Sequence, residues 1–295
     1  MRFGQILLQG VNHAPWVGSH EKEQERPKEN LSIIKLLQSW NRKPIVSHRP
    51  LPHWPYPFWI AHRGAGTLAP ENTLAAFQVG LDLGYRMFEC DAKLSADGVA
   101  FLLHDSTLDR TSNGTGSGGA HTWAQLSQLD AGSWHQQAFK GEGIPSLAQI
   151  GQFCLQHSAF LNIEIKPSPG SEHQTGVQVG LEAADIGAQA ATLPLLTSFQ
   201  SEALLGAKYA APHLPRGLLF KQWSVDILET ALALQCVAVV GHHPMWTAER
   251  VSQCHAAGLR CLAYTVNDPQ DVQHLRAMRI DGIVTDRVDL FNPDA

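Results

Sequence analysis

Seven reactive side chains occur in a few short segments of this chain, and their types suit the chemistry of a phosphodiester. They are three carboxylates, two imidazoles, a guanidinium and an amine, at Glu89, Asp91, Glu164, His62, His104, Arg63 and Lys166. Three carboxylates make a hard oxygen site for Mg²⁺ or Ca²⁺, which can neutralise a phosphoryl oxygen and lower the pKa of an attacking hydroxyl or water. Zinc is a poorer match, because it prefers nitrogen and sulfur ligands.

The two imidazoles and the two cations would supply the rest of that chemistry. His62 and His104 can act as general base and general acid on opposite sides of phosphorus, each contributing about 10²–10⁴-fold. Arg63 can hold phosphate oxygens with two parallel hydrogen bonds, and Lys166 adds a point charge. Taken singly, each residue also has an ordinary structural explanation, such as a solvated strand edge or an ion pair. Their placement relative to the predicted strands therefore decides the interpretation.

The apolar pattern predicts a fold in which parallel strands alternate with helices. The predicted strands are Phe58–Ala61, Arg86–Asp91, Leu161–Ile165, Leu195–Phe199, Gly217–Phe220, Val237–Gly241, Cys261–Val266 and Gly282–Thr285. The predicted helices are Asn72–Leu83, Ser146–Gln156, Gly176–Ala188, Ser201–Tyr209, Val225–Leu234, Thr247–Ala257 and Pro269–Met278. An α/β fold of the (β/α)8 TIM-barrel type satisfies this count and leaves no free sheet edge, and a doubly wound open sheet is the alternative.

The reactive residues fall at the carboxyl ends of the predicted strands, where barrels of this type carry their catalytic groups. His62 and Arg63 follow the first strand. Residues two apart on a strand point to one face, which applies to the pairs Glu89–Asp91 and Glu164–Lys166. All seven groups would then meet at one end of the barrel.

One segment does not fit the alternation of strands and helices. Asp97-Gly98 is a tight-turn signal, and the strand-like run Val99–Leu103 ends at His104. A hairpin that rises from the second strand would return His104 to the same end of the barrel. The following segment, residues 106–144, is rich in Gly, Ser, Thr and Asn and is too long for an ordinary connection. Loops of that length in compact domains usually have a function.

Composition limits the class of protein. The chain has 295 residues, of which 44% are hydrophobic and 17% are charged, with a formal net charge of −5. That length fits one barrel of about 250 residues, and the negative charge argues against a non-specific nucleic-acid binder. The five cysteines form no CxxC pair, which favours reduced thiols, and no apolar stretch approaches the roughly 18 residues of a spanning helix. We therefore expect a cytoplasmic protein without stable membrane insertion.

The composition of the chain also differs between its N-terminal part and the rest. Residues 1–54 contain a charged patch and a stretch rich in Pro, Trp and His, so we interpret them as an N-terminal extension that is poorly ordered. A short helix is predicted over Leu31–Trp40. Residues 55–295 would form the barrel domain.

The same residues belong to a dense set of motifs that resembles the signature of the glycerophosphodiester phosphodiesterase family. In chain order the motifs are His62-Arg63-Gly64, Ala69-Pro70-Glu71-Asn72-Thr73, Glu89-Cys90-Asp91, Asp97-Gly98 before His104-Asp105, Leu108-Asp109-Arg110-Thr111 with Asn113-Gly114, Asn162-Ile163-Glu164-Ile165-Lys166-Pro167 and Tyr264-Thr265-Val266-Asn267. The segments Trp54-Pro55-Tyr56-Pro57 and Asp130-Ala131-Gly132-Ser133-Trp134 are similar to the cytosolic bacterial members associated with glycerol-3-phosphate uptake.

This resemblance implies a metal-dependent phosphoric diester hydrolase that converts small glycerophosphodiesters into sn-glycerol 3-phosphate and an alcohol, with Mg²⁺ or Ca²⁺ as cofactor. It implies that residues 106–144 are the family's insertion beside the barrel mouth. It also implies roles for single residues: metal binding by Glu89, Asp91 and Glu164, acid/base catalysis by His62 and His104, and phosphate binding by Arg63 and Lys166.

Three further residues are candidates for the pocket. Glu71 opens a predicted helix after Pro70, where a carboxylate favours the helix dipole, and it could instead orient His62 or Arg63. His242 ends a predicted strand. Tyr264 stands where many family members have Trp.

Two other functions compete with this one. A phospholipase-type barrel would cleave a phospholipid headgroup, but it would need a lipid-facing surface, and the sequence shows no apolar ridge or basic membrane patch. A phosphoester-binding barrel without catalytic activity is the third possibility. The intact carboxylates and histidines argue against it.

Overall fold

The structure is a computed structural model that describes residues 49–294. Its strands are β1 (Trp59–Ala61), β2 (Met87–Leu94), β3 (Ala100–Leu102), β4 (Phe160–Ile165), β5 (Leu195–Ser198), β6 (Arg216–Phe220), β7 (Ala238–His242), β8 (Arg260–Tyr264) and β9 (Gly282–Thr285). Its helices are α1 (Leu74–Asp82), α2 (Trp123–Leu126), α3 (Leu147–Gln156), α4 (Glu172–Gly187), α5 (Ser201–Ala210), α6 (Asp226–Ala233), α7 (Ala248–Ala256) and α8 (Pro269–Ala277).

Eight of these strands form a closed parallel barrel. Neighbouring strands pair in the order β1, β2, β4, β5, β6, β7, β8 and β9, and β9 pairs with β1 to close the ring. Each parallel strand after β1 follows a helix, and before β4 a hairpin and the insertion precede that helix, α3. The predicted TIM barrel with an insertion after its second strand is confirmed, and the doubly wound open sheet is wrong.

Strand periodicity divides the side chains between two cores. Inward-facing apolar residues fill the barrel, and they include Ile60, Met87, Leu195, Leu219, Val240, Leu262 and Val284. The strand residues next to them point the other way and pack with helix residues in a second core. These strand residues include Ala61, Phe88, Leu196, Leu218, Val239, Cys261 and Ile283. Because side chains alternate along a strand, residues two positions beyond the inner set point into the mouth of the barrel.

The predicted hairpin is present and extends the second strand. β3 pairs antiparallel with the end of β2, in the register Ala92↔Leu102 and Leu94↔Ala100. This pairing carries β2 three residues beyond the predicted end at Asp91. The Leu103 amide donates to the Asp91 carbonyl at 3.0 Å, and this bond fixes the next residue, His104, at the barrel mouth.

The insertion has a small core of its own. It contains α2 and packs the buried side chains of Leu108, Leu126, Ala131 and Ile144 against Phe101 and Leu103 of the hairpin. The Asp130 carboxylate closes a turn by accepting hydrogen bonds from the backbone amides of Gly132, Ser133 and Gly141 and from the Ser133 hydroxyl. The glycine-rich segment is therefore a folded unit with a defined path.

The N-terminal predictions fall largely outside the described residues. The helix over Leu31–Trp40 and the greater part of the extension lie there. The residues just before the predicted boundary contact the opposite end of the barrel, where the Pro52 carbonyl accepts from the Arg260 guanidinium at 2.8 Å and the Arg49 amide donates to Ala256. Within residues 49–294, no helix is long and apolar enough to cross a membrane. The five cysteines are free and buried.

Candidate active site

Three carboxylates converge at the mouth of the barrel. β2 and β4 are neighbours in a register that pairs Asp91 with Glu164, and Glu89 lies one inward-facing position earlier on β2. Oxygens of the three carboxylates lie within 4.8 Å of one another. Glu89 and Asp91 are buried, at 5% and 1% exposure. The strand periodicity that predicted a shared face for these residues therefore also brings them together.

The cluster carries more negative charge than its surroundings balance. Burial, followed by the charges of Asp91 and Glu164, raises the pKa of Glu89 well above its usual value. Burial and the charge of Asp91 likewise raise the pKa of Glu164 to about 7. Burial would raise the pKa of Asp91 too, but Lys166 and Arg63 hold it below its usual value. Buried hard oxygens with raised pKa values are the donor set that a Mg²⁺ or Ca²⁺ ion would stabilise.

Two lysines lie close to the carboxylates, on the same two strands or directly after them. The Lys166 ammonium lies 3.2 Å from Asp91 Oδ1 and 3.1 Å from Glu164 Oε1. Lys93, which the sequence analysis did not single out, is buried and donates to the Lys166 carbonyl at 3.2 Å. Burial and the neighbouring Lys166 charge lower its pKa. Its position two residues after Asp91 on the same inward face was the signal that could have identified it.

Arg63 reaches the site from a strained backbone position. Its φ of +51° lies in the left-handed region, and its amide donates to Glu89 Oε2 at 3.1 Å. The following Gly64 has φ +100°, and a Cβ there would lie 2.8 Å from the Ala76 side chain. The His-Arg-Gly motif thus makes a turn that L side chains rarely allow, and such strain persists where it positions functional groups.

His62 is held by a residue that the sequence analysis missed. Its Nδ1 lies 2.5 Å from Asp286 Oδ1, and its Nε2 lies 3.9 Å from Glu89 Oε2. Asn267 donates to the other Asp286 oxygen at 2.9 Å and accepts from the Asp286 amide. Asp286 follows β9 and lies two positions after the inward-facing Val284, so strand periodicity could have revealed it.

His104 is held in the same way by its neighbour in the chain. Its Nδ1 lies 2.7 Å from Asp105 Oδ1. Burial lowers the pKa of His104; the charge of Asp91 opposes this change, and those of Arg63 and Lys166 add to it. Both histidines therefore engage a carboxylate through Nδ1, which leaves Nε2 of each ring for other partners.

Glu71 does not open the predicted helix over Asn72–Leu83. The helix begins at Leu74, because the Thr73 side chain caps it by accepting from the Ala76 amide. The helix-dipole interpretation of Glu71 is therefore wrong. Its carboxylate instead accepts from the Arg63 guanidinium at 2.9 Å and from Arg110 at 2.8 Å.

The other half of the mouth is aromatic. His242 and Tyr264 end neighbouring strands, and their ring centroids lie 5.8 Å apart. Phe199, which follows β5, packs edge-on against Tyr264 and is 40% exposed. Burial, together with the charge of Glu164, raises the pKa of Tyr264 to about 12. The structure thus places two of the three pocket candidates, His242 and Tyr264, on a wall of the same mouth.

A second group of metal-binding residue types lies at the opposite end of the barrel. His255, Cys261 and Asp281 have donor atoms within 4.8 Å of one another. The Asp281 carboxylate already pairs with the Arg260 guanidinium at 2.8 Å and with His255 at 2.8 Å. An ion-pair network accounts for this group without a metal.

Comparison with known proteins identifies the family. The model of the glycerophosphoryl diester phosphodiesterase family matches residues 62–290, a range that spans every residue of the cluster. The chain belongs to that family. It is 33% identical over 230 residues to a glycerophosphodiester phosphodiesterase of Caldanaerobacter subterraneus subsp. tengcongensis, which covers 77% of this chain and 93% of the relative. Family membership makes the chain an enzyme of the phosphodiester hydrolase class.

Solved structures of the family share the fold. A phosphodiesterase of Oleispira antarctica, solved in complex with the product sn-glycerol-3-phosphate, is 33% identical and superposes with a TM-score of 0.73, covering 78% of this chain and 93% of that one. A glycerophosphodiester phosphodiesterase of Agrobacterium tumefaciens is 28% identical with a TM-score of 0.65, covering 80% of this chain and 99% of that one.

Proposed function

We propose that this enzyme hydrolyses glycerophosphodiesters to sn-glycerol 3-phosphate and an alcohol, by two-histidine acid/base catalysis at a divalent cation site. One observation carries the proposal. Two imidazoles, each bonded to an aspartate through Nδ1, reach the barrel mouth from β1 and from the hairpin, where the carboxylate cluster lies. A binding protein would have no need for two oriented imidazoles.

Glu89, Asp91 and Glu164 would hold the cation. Their oxygen donors, their burial and the raised pKa values of two of them favour Mg²⁺ or Ca²⁺ over zinc. A bound divalent cation would neutralise charge on a phosphoryl oxygen and lower the pKa of a hydroxyl or water. Asn72 supports this arrangement, because its side chain donates to Asp91 Oδ2 at 2.8 Å and accepts from the Asp91 amide.

Arg63 and Lys166 would bind the phosphate. Arg63 Nε is buried and has no hydrogen-bond partner within the described residues, although Asp91 Oδ2 lies 3.3 Å away in poor geometry. The Arg63 side chain as a whole is 18% exposed, and a phosphate oxygen would approach the guanidinium through this exposed part. The hydrogen bond to Glu71 fixes the Arg63 guanidinium before substrate arrives, and the bond from the Arg63 backbone amide to Glu89 fixes its backbone.

The histidines would move the two protons of the reaction. An ionised carboxylate only accepts hydrogen bonds, so Asp286 and Asp105 each keep the proton on Nδ1 of the adjacent ring. Nε2 of each imidazole is then the atom that takes a proton from the attacking oxygen or gives one to the leaving alkoxide. The aspartate also stabilises the imidazolium that forms, as in other Asp-His pairs.

The substrate would be a small diester. The relative from Oleispira antarctica binds sn-glycerol-3-phosphate, which fits the glycerophosphate half of such a substrate. Tyr264 and His242 offer an aromatic wall beside the cluster for the organic part. A cytoplasmic location and a role in glycerol and lipid metabolism are part of the proposal, supported by the similarity of Trp54-Pro55-Tyr56-Pro57 and Asp130-Ala131-Gly132-Ser133-Trp134 to cytosolic bacterial members of the family.

A direct assay tests the proposal and its two alternatives together. Glycerophosphocholine and intact phosphatidylinositol are offered to the purified protein, with and without EDTA followed by Mg²⁺ or Ca²⁺. Cation-dependent release of glycerol 3-phosphate from glycerophosphocholine is the expected result. Preferential cleavage of phosphatidylinositol would favour the phospholipase-type activity, and binding without turnover would favour the non-catalytic barrel.

A further inference from the structure

Arg110 of the insertion binds two carboxylates at once. Its Nε and Nη2 donate to the two oxygens of Asp105 at 2.7 and 3.1 Å. Its Nη1 and Nη2 donate to the two oxygens of Glu71, both at 2.8 Å. Bidentate, charge-assisted contacts of this kind are among the strongest and most directional hydrogen bonds in proteins.

Each of these carboxylates continues to a residue that the proposed function places on the substrate. Asp105 Oδ1 bonds to His104 Nδ1 at 2.7 Å, and Glu71 Oε1 accepts from Arg63 at 2.9 Å. Arg110 is therefore the centre of a continuous chain of hydrogen bonds that runs from the imidazole to the phosphate-binding guanidinium.

The core of the insertion holds the backbone next to Arg110, whereas the Arg110 side chain is partly exposed to solvent. Its neighbour Thr111 and the nearby Leu108 are buried, and the Ser112 hydroxyl donates to the Leu108 carbonyl at 2.8 Å. The Arg110 side chain is 44% exposed. Removal of the guanidinium would therefore leave no buried cavity, and we expect the fold to survive.

We propose that Arg110 is a positioning residue, which orients the His104 imidazole through Asp105 and the Arg63 guanidinium through Glu71. The inference rests on the proposed function. Without Arg110, two carboxylates would face each other without a shared cation, and Asp105 could turn away from His104. The long insertion would then have a defined role, which is to place the Arg110 guanidinium between the carboxylates of Asp105 and Glu71.

Kinetics of Arg110→Ala and Arg110→Lys test this role. Arg110→Ala should lower kcat for glycerophosphocholine by about 10- to 10²-fold, since a displacement near 1 Å in an active site costs that much. Arg110→Lys keeps the charge but not the fork of donors, so it should recover only part of the loss. Arg260→Ala is the matched control, because it breaks an arginine–aspartate pair at the other end of the barrel and should leave kcat unchanged.

Double substitutions separate positioning from a general structural effect. In His104→Ala and in Arg63→Ala backgrounds, the loss caused by Arg110→Ala should shrink by at least about twofold, because the group that it orients is absent. Wild-type kcat and KM in Arg110→Ala, or an equal loss in all three backgrounds, would overturn the inference. If His104→Ala and Arg63→Ala themselves keep full activity, it is the proposed function that fails.

Nitrogen-15 NMR of the histidine rings tests the orientation without reference to activity. The Nδ1–H signal of His104, assigned by its loss in His104→Ala, should weaken or disappear in Arg110→Ala through faster exchange. The corresponding His62 signal should persist, because Asp286 holds that ring independently. An unchanged His104 signal would refute positioning by Arg110 even if the proposed function also failed.

Discussion

His62 Nδ1 and Asp286 Oδ1 lie 2.5 Å apart although 224 positions separate them in the chain. The contact joins the first and last strands of the barrel at the point where it closes, since β1 and β9 pair in the register Ala61↔Thr285. Gly66 lies against the Asp286 backbone so closely that a Cβ there would come within 2.1 Å of the Asp286 carbonyl oxygen. The pairing of β1 with β9 that closes the barrel therefore also brings Asp286 to the His62 imidazole and orients it.

Asp286→Asn should impair catalysis while leaving the fold in place. An asparagine can offer its amide to Nδ1, which favours the tautomer with the proton on Nε2 and misplaces the proton that the reaction needs. We expect kcat for glycerophosphocholine to fall by about 10²-fold or more. Circular dichroism should show a melting temperature close to that of the wild type.

Asp289→Asn is the matched control for that substitution. Asp289 lies three residues further along and forms an exposed ion pair with Arg287 at 2.8 Å. Exposed pairs contribute about 0–1 kcal/mol to stability, and this one touches no site residue, so kcat should stay at the wild-type value. An equal loss in both variants would contradict a specific role for Asp286.

Glu164→Gln should weaken cation binding with little change in fold. The substitution keeps the volume of the side chain and removes one of three anionic donors. Calorimetric titration with Mg²⁺ or Ca²⁺ should show an affinity lower by about tenfold or more. EDTA should abolish wild-type activity, and added cation should restore it.

Glu182→Gln is the control for the cation titration. Glu182 lies on α4, where its carboxylate accepts from the Ala100 amide and from Gln178, and it takes no part in the cluster. The same change of charge at this position should leave the affinity for the cation unaltered. Full activity of the wild type after exhaustive chelation would exclude metal dependence.

The stability of the metal-free protein should depend on pH through Glu164. Burial and the charge of Asp91 raise its pKa to about 7, against 4.5 for a free glutamate. Between these values the folded state binds more protons than the unfolded state, so this group lowers the free energy of unfolding as pH rises from about 4.5 to about 7. Glutamine does not titrate, and Glu164→Gln in EDTA should gain stability relative to the wild type across that range.

Urea unfolding at several pH values in EDTA measures this difference. Parallel pH profiles for the two proteins would show that the pKa of Glu164 is not raised. With saturating cation the order should reverse, because the wild type then gains binding free energy that the variant lacks.

Strand periodicity predicted the barrel and the charged cluster, because both depend on which face of a strand a residue occupies. The strand predicted for β1 starts one residue early and ends at the same residue, and the strand predicted for β7 is shifted by one residue. The carboxylates of β2 and β4 meet for the same reason. The alternation of side chains along a strand depends only on residues close together in the chain, so it can be read from the sequence.

The supporting residues follow from contacts that periodicity does not contain. Arg110 reaches Glu71 only because the insertion folds around its own core and returns to the barrel mouth. Glu71 was expected to open a helix over Asn72–Leu83, but the Thr73 cap starts the helix at Leu74. Such contacts depend on side-chain torsions and on the path of a long loop, so they required the structure.

The division of labour between His62 and His104 gives the last prediction. In-line displacement at phosphorus requires proton removal from the attacking oxygen on one side and proton donation to the leaving alkoxide on the other. Each imidazole has Nδ1 bound to an aspartate, so each has one free nitrogen for one of these transfers. His62→Ala and His104→Ala should each lower kcat for glycerophosphocholine by about 10²-fold or more, with cation affinity little changed.

A p-nitrophenyl diester identifies the acid, because p-nitrophenolate departs without protonation. The variant that lacks the general acid should recover part of its lost rate on this substrate, and the variant that lacks the base should not. Arg63→Ala is the control, since loss of phosphate binding should reduce the rate on both substrates alike. If neither histidine variant recovers, the two imidazoles do not divide the proton transfers, even if both residues prove essential.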